Sequence, residues 1–347
     1  MKYVYGILNA AQARPEYRPV AFAGPTGQFE VIVNGDLAAV VSDSSITGFA
    51  DLPRGDLMRY LTLHQRAVET LMDGAIVLPV KFGTVLADAD QVKTVLYLSH
   101  SELVRAMEMV GHRSEVDVAV TWEPTRLFAE IAQEPEVAAL KAQVMELPAE
   151  QTLQGRIAVG QLVKERFDAR RNQLRDELVA RITPCAARWR LNPVMDDSMV
   201  MNVACLVDAA EETALEDRVY ELDEQHDGQL HFRLVGPLPP YSFATVDVRV
   251  VRREDMERVC ALLELPNDAA GGTLGASTPE QVKQAYYRQA RRYHPDAIGD
   301  DPAARAQFVR LTEAYRLMTE IALRVPAGSL ASNGAPHILV RVGGPEG

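Results

Sequence analysis

Apolar segments separated by turn signals predict strands at the start of the chain. Residues 3–8 are almost entirely apolar or aromatic, as expected of a buried strand. Two further apolar runs, at 29–33 and 37–41, flank Asn34-Gly35. This dipeptide is favoured in two-residue turns where both turn residues need positive φ. The arrangement predicts a β-hairpin.

Two amphipathic helices follow the hairpin. In the first, spacings of three and four residues define one stripe, formed by Leu57, Leu61, His64, Val68 and Leu71. The second helix is predicted over about 88–110. Strands at 76–82 and 116–122 complete the order β-ββ-α-β-α-β. This order indicates an α+β domain over residues 1–123, with its helices on one face of a sheet.

Helical periodicity dominates the chain after residue 123. Residues 124–147 are predicted to be helical with a break at Pro135, and residues 152–182 carry a long, charged amphipathic pattern. The run at 164–171 mixes both signs of charge. We interpret it as a solvated helix face rather than a binding stripe.

A second α+β unit follows, and with the helical middle it makes up a predicted domain over 124–252. Its predicted elements are a strand at 199–207, a helix at about 211–225 and strands at 230–235 and 244–251. Pro237, Pro239 and Pro240 lie between the last two strands. Because proline has no N–H to donate, they predict a rigid extended corner rather than a central strand. This unit is expected to pack on the first.

The C-terminal quarter predicts a small helical module between irregular segments. Residues 253–278 comprise a helix and a linker, and positions 265–278 are small and Gly-rich, which predicts flexibility. A helical pair is predicted over 279–325. The remainder, 326–347, is predicted to be a flexible tail with one strand-like run at 337–342.

Charge and length narrow the range of functions. The 347 residues include 36 basic and 48 acidic side chains, for a net charge of −12. An acidic surface repels phosphates, so neither nucleic acid nor a lipid membrane is expected as a main partner. The chain also lacks a run of about 18 apolar residues that could span a bilayer. A cytosolic protein is therefore expected.

The residues give no sign of metal or cofactor chemistry. The three cysteines, Cys185, Cys205 and Cys260, lie far apart without ligand spacing, which fits a reducing compartment. Signatures of Ser-His-Asp, Cys-His or phosphate-loop sites are missing from the sequence. We predict no catalytic residue, cofactor or metal site.

The most specific short motif is His294-Pro295-Asp296, which lies between two predicted helices. Residues 278–281, Thr-Pro-Glu-Gln, have the features of a helix start, with Thr as N-cap, Pro at the first helical position and Gln at the third. The helix at 279–293 and its successor at 302–320 carry matching apolar stripes. Two antiparallel helices would bury these stripes and display the motif on their connection. Zinc needs at least three convergent ligands, so His294 and Asp296 do not indicate a metal site.

The outer face of the first of these helices is basic. Its cationic side chains are Lys283, Arg288, Arg291 and Arg292. Residues 277–325 hold eight basic and six acidic side chains, a net charge of +2 that leaves −14 on the rest of the chain.

These residues resemble the J domain of the DnaJ/Hsp40 co-chaperone family. The resemblance covers about 50 residues and is carried by the run 281–296 and by Phe308 and Glu313-Ala314-Tyr315. It implies docking on an Hsp70 (DnaK) partner, with Asp296 presented to the chaperone and the basic helix face meeting an acidic surface. The chain departs from the family in two respects. Its preceding helix, at 254–265, lacks the usual paired tyrosines, and its linker is longer.

Four segments in the rest of the chain resemble the gas vesicle protein F/L family (GvpF/GvpL). They are Tyr-Val-Tyr-Gly-Ile at 3–7, Leu-Pro-Val-Lys-Phe-Gly-Thr at 78–84, Met-Asn-Val-Ala-Cys-Leu-Val at 201–207 and Gly-Pro-Leu-Pro-Pro-Tyr-Ser-Phe at 236–243. The motif residues carried over are Pro79, Phe82, Gly83, Gly236, Pro237, Pro239, Pro240, Tyr241 and Phe243. His64 also matches a family histidine, although on an apolar stripe we interpret it as a core residue. Leu238 stands where the family often has Trp.

The two resemblances together imply a fold and a function. The fold implied is α+β, with two ferredoxin-like-variant domains, a helical middle and a C-terminal all-α J-like hairpin. The family implies a gas vesicle accessory protein that binds the hydrophobic shell protein during assembly, alongside other vesicle accessory proteins. Two other hypotheses stay open: a general cytosolic J-domain co-chaperone with unrelated clients, and an enzyme on a ferredoxin-like scaffold. The enzyme would need a deep pocket with convergent ionisable groups.

Overall fold

The structure is a computed structural model of the whole chain. It describes residues 1–14, 28–46, 48–49, 52–146, 148–265, 277–293, 301–324 and 337–344, apart from the side chains at 149–151, 324 and 337. Most of the predicted linker, the His-Pro-Asp motif and most of the predicted tail lie outside these residues. Two compact units divide the chain: Met1–Val246 with Val342–Gly347, and Asp247–Arg341.

The first unit contains two antiparallel sheets. The strands of the first sheet are β1 Lys2–Asn9, β2 Glu30–Asn34, β3 Leu37–Asp43, β4 Val77–Pro79 and β5 Val85–Leu86. Their order is β2-β3-β1-β4, and β5 also pairs with β1. Helices α1 Arg54–Met72, α2 Ala89–Leu98 and α3 His100–Val110 accompany this sheet. The central strand β1 is buried along almost its whole length, as its apolar sequence predicts.

The predicted hairpin is present, but its turn lies one residue further along. Asn34 pairs with Leu37, so the two turn residues are Gly35 and Asp36. Only Gly35 has positive φ, at 64°. The expectation of an Asn34-Gly35 turn with two positive φ values is therefore wrong. Positive φ at the first turn residue alone is the pattern of a type II′ turn.

The helices of this region also differ from the prediction in two places. The predicted stripe on α1 is buried at His64, Val68 and Leu71, whereas Leu61 is exposed. The single helix predicted over 88–110 is two helices that meet at Ser99. Ser99 donates its N–H to the Val95 carbonyl and accepts from the Leu103 N–H, so it serves both helices. Serine favours helix ends over helix interiors.

The second sheet consists of four antiparallel strands. They are β6 Arg113–Trp122, β7 Arg188–Asn192, β8 Met199–Asp208 and β9 Leu230–Leu238, in the order β7-β8-β6-β9. The sequence analysis assigned the strand at 116–122 to the first domain, and this assignment is wrong. Strand β6 pairs with β8 and β9 instead. Strand β7 was not predicted.

The helical middle is confirmed and lies against the second sheet. Its helices are α4 Pro124–Ile131, α5 Pro135–Met145 and α6 Ala149–Ile182, and α7 Glu212–His226 follows β8. Prolines occupy the first positions of α4 and α5, where the missing N–H costs nothing. At 34 residues, α6 is about 50 Å long. Its C-terminal part packs with α7 on the valines of β6 and β8.

The proline-rich corner begins later than predicted. Strand β9 continues through Gly236-Pro237 to Leu238. It can do so because β9 is at an edge of the sheet, where a missing N–H need not break a ladder on both sides. The corner proper is Pro239-Pro240, followed by the single turn α8 Tyr241–Ala244 and by β10 Thr245–Val251.

The second unit is mostly helical. Its helices are α9 Arg253–Leu263, α10 Pro279–Tyr293 and α11 Pro302–Arg324, and β11 His337–Gly343 pairs with β10. One apolar core joins α9, α10, α11 and Leu339 of β11. The predicted helical pair and the strand-like run are present. The predicted α+β class is confirmed, with two antiparallel sheets and a helical C-terminal unit. Within the described ranges, no helix is long and apolar enough to cross a membrane.

Candidate binding sites

The first set of predicted motif residues surrounds a buried aromatic cluster. Tyr3 Oη is 2.8 Å from His64 Nδ1, and the N–H of Gly83 donates to Tyr3 Oη at 3.3 Å. Tyr3 Oη thus has two hydrogen-bond partners, His64 Nδ1 and the Gly83 N–H. The Phe82 ring packs on Phe49 and His64, with centroids 5.0 and 5.7 Å away. These contacts place the motif in the core of the first sheet.

Burial keeps this cluster uncharged. It lowers the pKa of His64 to about 4, an effect that the Val80 carbonyl partly offsets, and it raises the pKa of Tyr3. Both pKa values are thus shifted away from neutral pH, so neither group is tuned to exchange protons there. Gly83, with φ at 86°, supplies a backbone conformation that other residues rarely adopt. Pro79 is buried in β4 opposite Gly6. The interpretation of His64 as a core residue fits this geometry.

The second set of motif residues encloses a carboxylate that the sequence analysis missed. Glu115 on β6 is 2% exposed. Its two carboxylate oxygens accept from the N–H and the hydroxyl of Ser242, each at 2.7 Å. Arg190 donates to the Ser242 carbonyl at 3.0 Å. Ser242 therefore joins β6 and β7 to the turn that follows the prolines.

The remaining residues of this motif have identifiable positions. A Cβ added to Gly236 would lie 2.9 Å from Val116 Cγ2 and 3.1 Å from the Glu115 carbonyl, so only glycine fits there. Pro237 is within β9, and Pro239 and Pro240 form the corner that leads into α8. Tyr241 is largely buried, which raises its pKa, and Phe243 is half-buried. The motif shapes the backbone around Glu115.

Glu115 titrates far from the usual range of a carboxyl group. Burial raises its pKa to about 7, although the hydrogen bonds from Ser242 oppose the shift. The neighbouring Asp117, two residues along the same face of β6, also has a raised pKa because of burial. The pair combines low solvation with like charge, both of which disfavour double ionisation.

We expect the Glu115→Gln variant to lose a pH dependence of stability that the wild type has. The pKa of Glu115 is raised from 4.5 to about 7 in the folded state, so the folded chain binds this proton more tightly than the unfolded chain. The wild-type free energy of unfolding should therefore fall as pH rises from 4.5 to about 7, by roughly 3 kcal/mol at most. Glutamine is neutral throughout this range and still offers an acceptor to Ser242.

Urea unfolding at several pH values between 4.5 and 8 measures this effect. The difference between variant and wild type isolates Glu115 from other titrating groups such as His64. Glu221→Gln, at an exposed site on α7, is the matched control and should follow the wild type. Parallel curves for Glu115→Gln and wild type would contradict the assignment.

The start of α10 has the predicted capping geometry. The Gln281 N–H donates to Thr278 Oγ1 at 3.3 Å, and the Thr278 N–H donates to Gln281 Oε1 at 2.8 Å. This reciprocal pair is a capping box that fixes where the helix begins. It also orients the basic face of α10.

The four predicted basic residues of α10 differ in their surroundings. Lys283, Arg288 and Arg291 are exposed, and no ion pair joins them to any other described residue. Arg292 instead pairs with Glu264, at 3.1 Å, just beyond the end of α9. His294, Pro295 and Asp296, which follow α10 directly in sequence, lie outside the described residues. The basic face available to a partner is thus formed by Lys283, Arg288 and Arg291, without Arg292.

Catalytic and metal chemistry has little support in the part of the chain that the structure describes. No group of three or more His, Cys, Asp or Glu side chains there is placed to hold a metal ion. All three cysteines are free, and burial raises the pKa of Cys205 and Cys260. A thiol with a raised pKa is a weak nucleophile at neutral pH.

Comparison with known protein families agrees with the two family resemblances, one in the main body of the chain and one near its C-terminus. A family model described as gas vesicle synthesis protein GvpL/GvpF matches residues 1–245, and a model described as DnaJ domain matches residues 262–325. The resemblances predicted from the motifs are thereby confirmed. The family match ends within β10, and the DnaJ match begins within α9.

Individual relatives match the same two regions. Gas vesicle protein F of Streptomyces sp. strain CB03234 is 26% identical over 245 residues, which are 70% of this chain and 98% of that protein. The chaperone protein DnaJ of Carboxydothermus hydrogenoformans is 43% identical over 49 residues, 14% of this chain and 13% of that protein. The crystal structure of GvpF from Anabaena sp. PCC7120 has a similar fold. Its TM-score is 0.57 at 21% identity, over 69% of this chain and 94% of that one.

Proposed function

The chain belongs to the GvpL/GvpF gas vesicle protein family and carries a DnaJ domain, and from this premise we propose that it assists vesicle assembly by holding the shell protein. In this proposal the family body binds the hydrophobic shell subunit before incorporation, and the DnaJ domain recruits Hsp70. The GvpL/GvpF and DnaJ families are not known as enzymes, so the proposed work is binding without catalysis. It takes place in the cytosol and at the growing gas vesicle.

The family body has exposed apolar surface of the kind that an apolar client needs. Met145 at the end of α5 is 79% exposed, and Leu153 on α6 is 68% exposed. Ile157 lies one helical turn beyond Leu153 and is also exposed. Exposed apolar side chains that adjoin one another, as Leu153 and Ile157 do, are typical of interaction surfaces. They support client binding by the body without involving the DnaJ domain.

The DnaJ domain supports recruitment of an acidic partner. Lys283, Arg288 and Arg291 form a cationic face on a chain whose remaining residues are strongly acidic. Such a face steers association with an acidic surface and favours the correct orientation of encounter. Hsp70 is proposed as that partner because the DnaJ family resemblance includes His294-Pro295-Asp296.

The observation that carries the proposal is the presence of both regions in one chain. A client held by the body stays close to any Hsp70 that the DnaJ domain recruits, because covalent linkage makes the second encounter intramolecular. If the client-binding body and the DnaJ domain were separate proteins, both would have to meet the client and Hsp70 independently at low concentration. The fusion therefore favours delivery of one client class to Hsp70.

Binding of the purified full chain to the shell protein of its host tests the proposal. We expect saturable binding to the shell protein, and much weaker binding to a chemically unfolded protein of similar length that has no role in vesicles. The Lys283→Glu/Arg288→Glu variant should bind the shell protein as the wild type does. Equal binding to both clients would favour the general co-chaperone instead, and no binding to the shell protein would contradict the proposal.

A further inference from the structure

Two neighbouring helix segments of the family body carry very little charge for their exposure. Residues 137–145 of α5 and 151–163 of α6 contain one charged side chain each, Lys141 and Arg156. Most of the described side chains in both segments are exposed or half-buried. The rest of α6 differs, because ten of the 18 residues at 164–181 are charged. Depletion of charge on an accessible surface is typical of an interface core.

A groove lies between the two segments. Its volume is about 470 Å³, and its lining residues are Lys141, Val144, Met145, Thr152, Arg156 and Val159. Leu153 and Ile157 lie on the adjoining stripe of α6, at 68% and 52% exposed. Their apolar surface extends the groove outward along α6.

We propose that this groove binds an amphipathic helix of the shell subunit, one whose apolar face is flanked by carboxylates. The apolar face would contact Val144, Met145 and Val159, and the carboxylates would lie near Lys141 and Arg156. The inference rests on the proposed function, because it assigns a location and a partner chemistry to the binding of the shell protein.

The shape of the groove favours a helix as its occupant. Both lining elements are helices, so the groove has no strand edge to which an extended segment could add. An extended segment would bring backbone N–H and C=O groups into the groove without partners for them. A helix satisfies these groups internally, and grooves between helices commonly take the apolar face of another helix.

The charge of the groove favours acidic flanks on that helix. Lys141 and Arg156 are both exposed, and neither forms an ion pair with another described residue. The connection between the two segments adds Glu146 and Glu150, but Glu146 does not line the groove. The whole chain has a net charge of −12 and would otherwise repel an acidic helix. A preference for an acidic partner is therefore a specific signature of this groove.

Binding of two designed helical peptides to the full chain tests the charge preference. The peptides share one apolar face, and one carries glutamate along both flanks where the other carries lysine. By fluorescence anisotropy at low salt, we expect the glutamate peptide to bind about tenfold more tightly. The Lys141→Glu/Arg156→Glu variant should instead favour the lysine peptide, a gain that a misfolded variant would not show.

Lys283→Glu/Arg288→Glu is the matched control, because it makes the same two replacements on the basic face of α10. This control should keep the wild-type preference. A wild type that binds both peptides equally, or that prefers the lysine peptide, overturns the proposal. A Lys141→Glu/Arg156→Glu variant that does not favour the lysine peptide overturns it as well.

Binding of the shell protein tests whether the shell subunit occupies the groove. Met145→Asp/Ile157→Asp should weaken this binding at least about tenfold. Met58→Asp/Leu61→Asp, which replaces two exposed apolar residues of α1, is the control and should bind as the wild type does. Equal binding by the groove variant and the wild type overturns this inference and leaves the proposed function in place. A wild type that does not bind the shell protein contradicts the proposed function itself.

Discussion

Replacing His294 by glutamine is expected to reduce stimulation of Hsp70 ATP hydrolysis at least about tenfold, which corresponds to at least 1.4 kcal/mol of lost coupling. The reason is the position of the motif directly after the basic helix α10, where the DnaJ family resemblance implies contact with the chaperone. The substitution should leave the fold intact. It should also leave shell-protein binding unchanged, because that function is proposed for the family body.

Steady-state ATPase measurements with purified Hsp70 of the host test this result. His112→Gln is the matched control, since it makes the same substitution at an exposed histidine after α3, outside the DnaJ domain. The control should stimulate as the wild type does. Equal stimulation by His294→Gln and wild type would contradict the role assigned to the His-Pro-Asp motif, and a wild type that does not stimulate Hsp70 would contradict the recruitment proposal.

Replacing Glu320 by alanine is expected to destabilise the second unit by roughly 2 kcal/mol. Glu320 on α11 is buried and accepts two hydrogen bonds from Arg341 of β11, at 2.5 and 2.7 Å. Two parallel N–H···O bonds of this kind are among the stronger polar contacts in proteins. Their removal takes these two hydrogen bonds from the Arg341 guanidinium and should loosen β11 from α11. This value is below the range for fully buried ion pairs because the Arg341 side chain is 42% exposed, so solvent screens the pair.

Hydrogen exchange of the full chain provides the local measurement. Amides of α11 and β11 should exchange about tenfold faster or more in Glu320→Ala, whereas those of the first sheet should keep their wild-type rates. Arg292→Ala is the control. Arg292 forms an ion pair with Glu264 in which both side chains are exposed, so the pair contributes little to stability. Equal protection in Glu320→Ala and wild type would mean that the Arg341 pair does not hold β11.

Local features of the structure were predictable because their causes are local. The capping box of α10 needs only Thr278 and Gln281 three residues apart. The hairpin of β2 and β3 was found from two apolar runs and a turn dipeptide, yet the turn moved by one residue. Cross-strand pairing sets the register, and the dipeptide alone does not contain that information.

Long-range pairing was not predictable from the pattern of residues. The alternation in 113–122 identifies a strand, but it does not reveal that β6 pairs with β8, more than 80 residues later. Proline at 237 indicated the end of a strand, whereas an edge position allows β9 to continue. In both cases the missing information is the neighbour of each strand.

The burial of Glu115 was not predictable from the sequence, because a charged residue is normally expected to be exposed. Glu115 alternates with apolar neighbours on β6, a pattern that normally places a carboxylate in solvent. The strand is covered on this face by the Ser242 turn, which comes from 127 residues further along the chain. The motif glycine at 236, where an added Cβ would lie too close to Val116 and Glu115, was the local sign of close backbone approach at this point.

Release of bound shell protein in the presence of Hsp70 and ATP tests the central claim most directly. Labelled shell protein is first bound to the full chain, and its release is followed after addition of Hsp70 with ATP or with a non-hydrolysable analogue. The account predicts release that requires ATP hydrolysis and is lost in His294→Gln, with initial binding unchanged. Release at the same rate with the analogue, or in His294→Gln, would contradict the claim that the two regions of this chain work together.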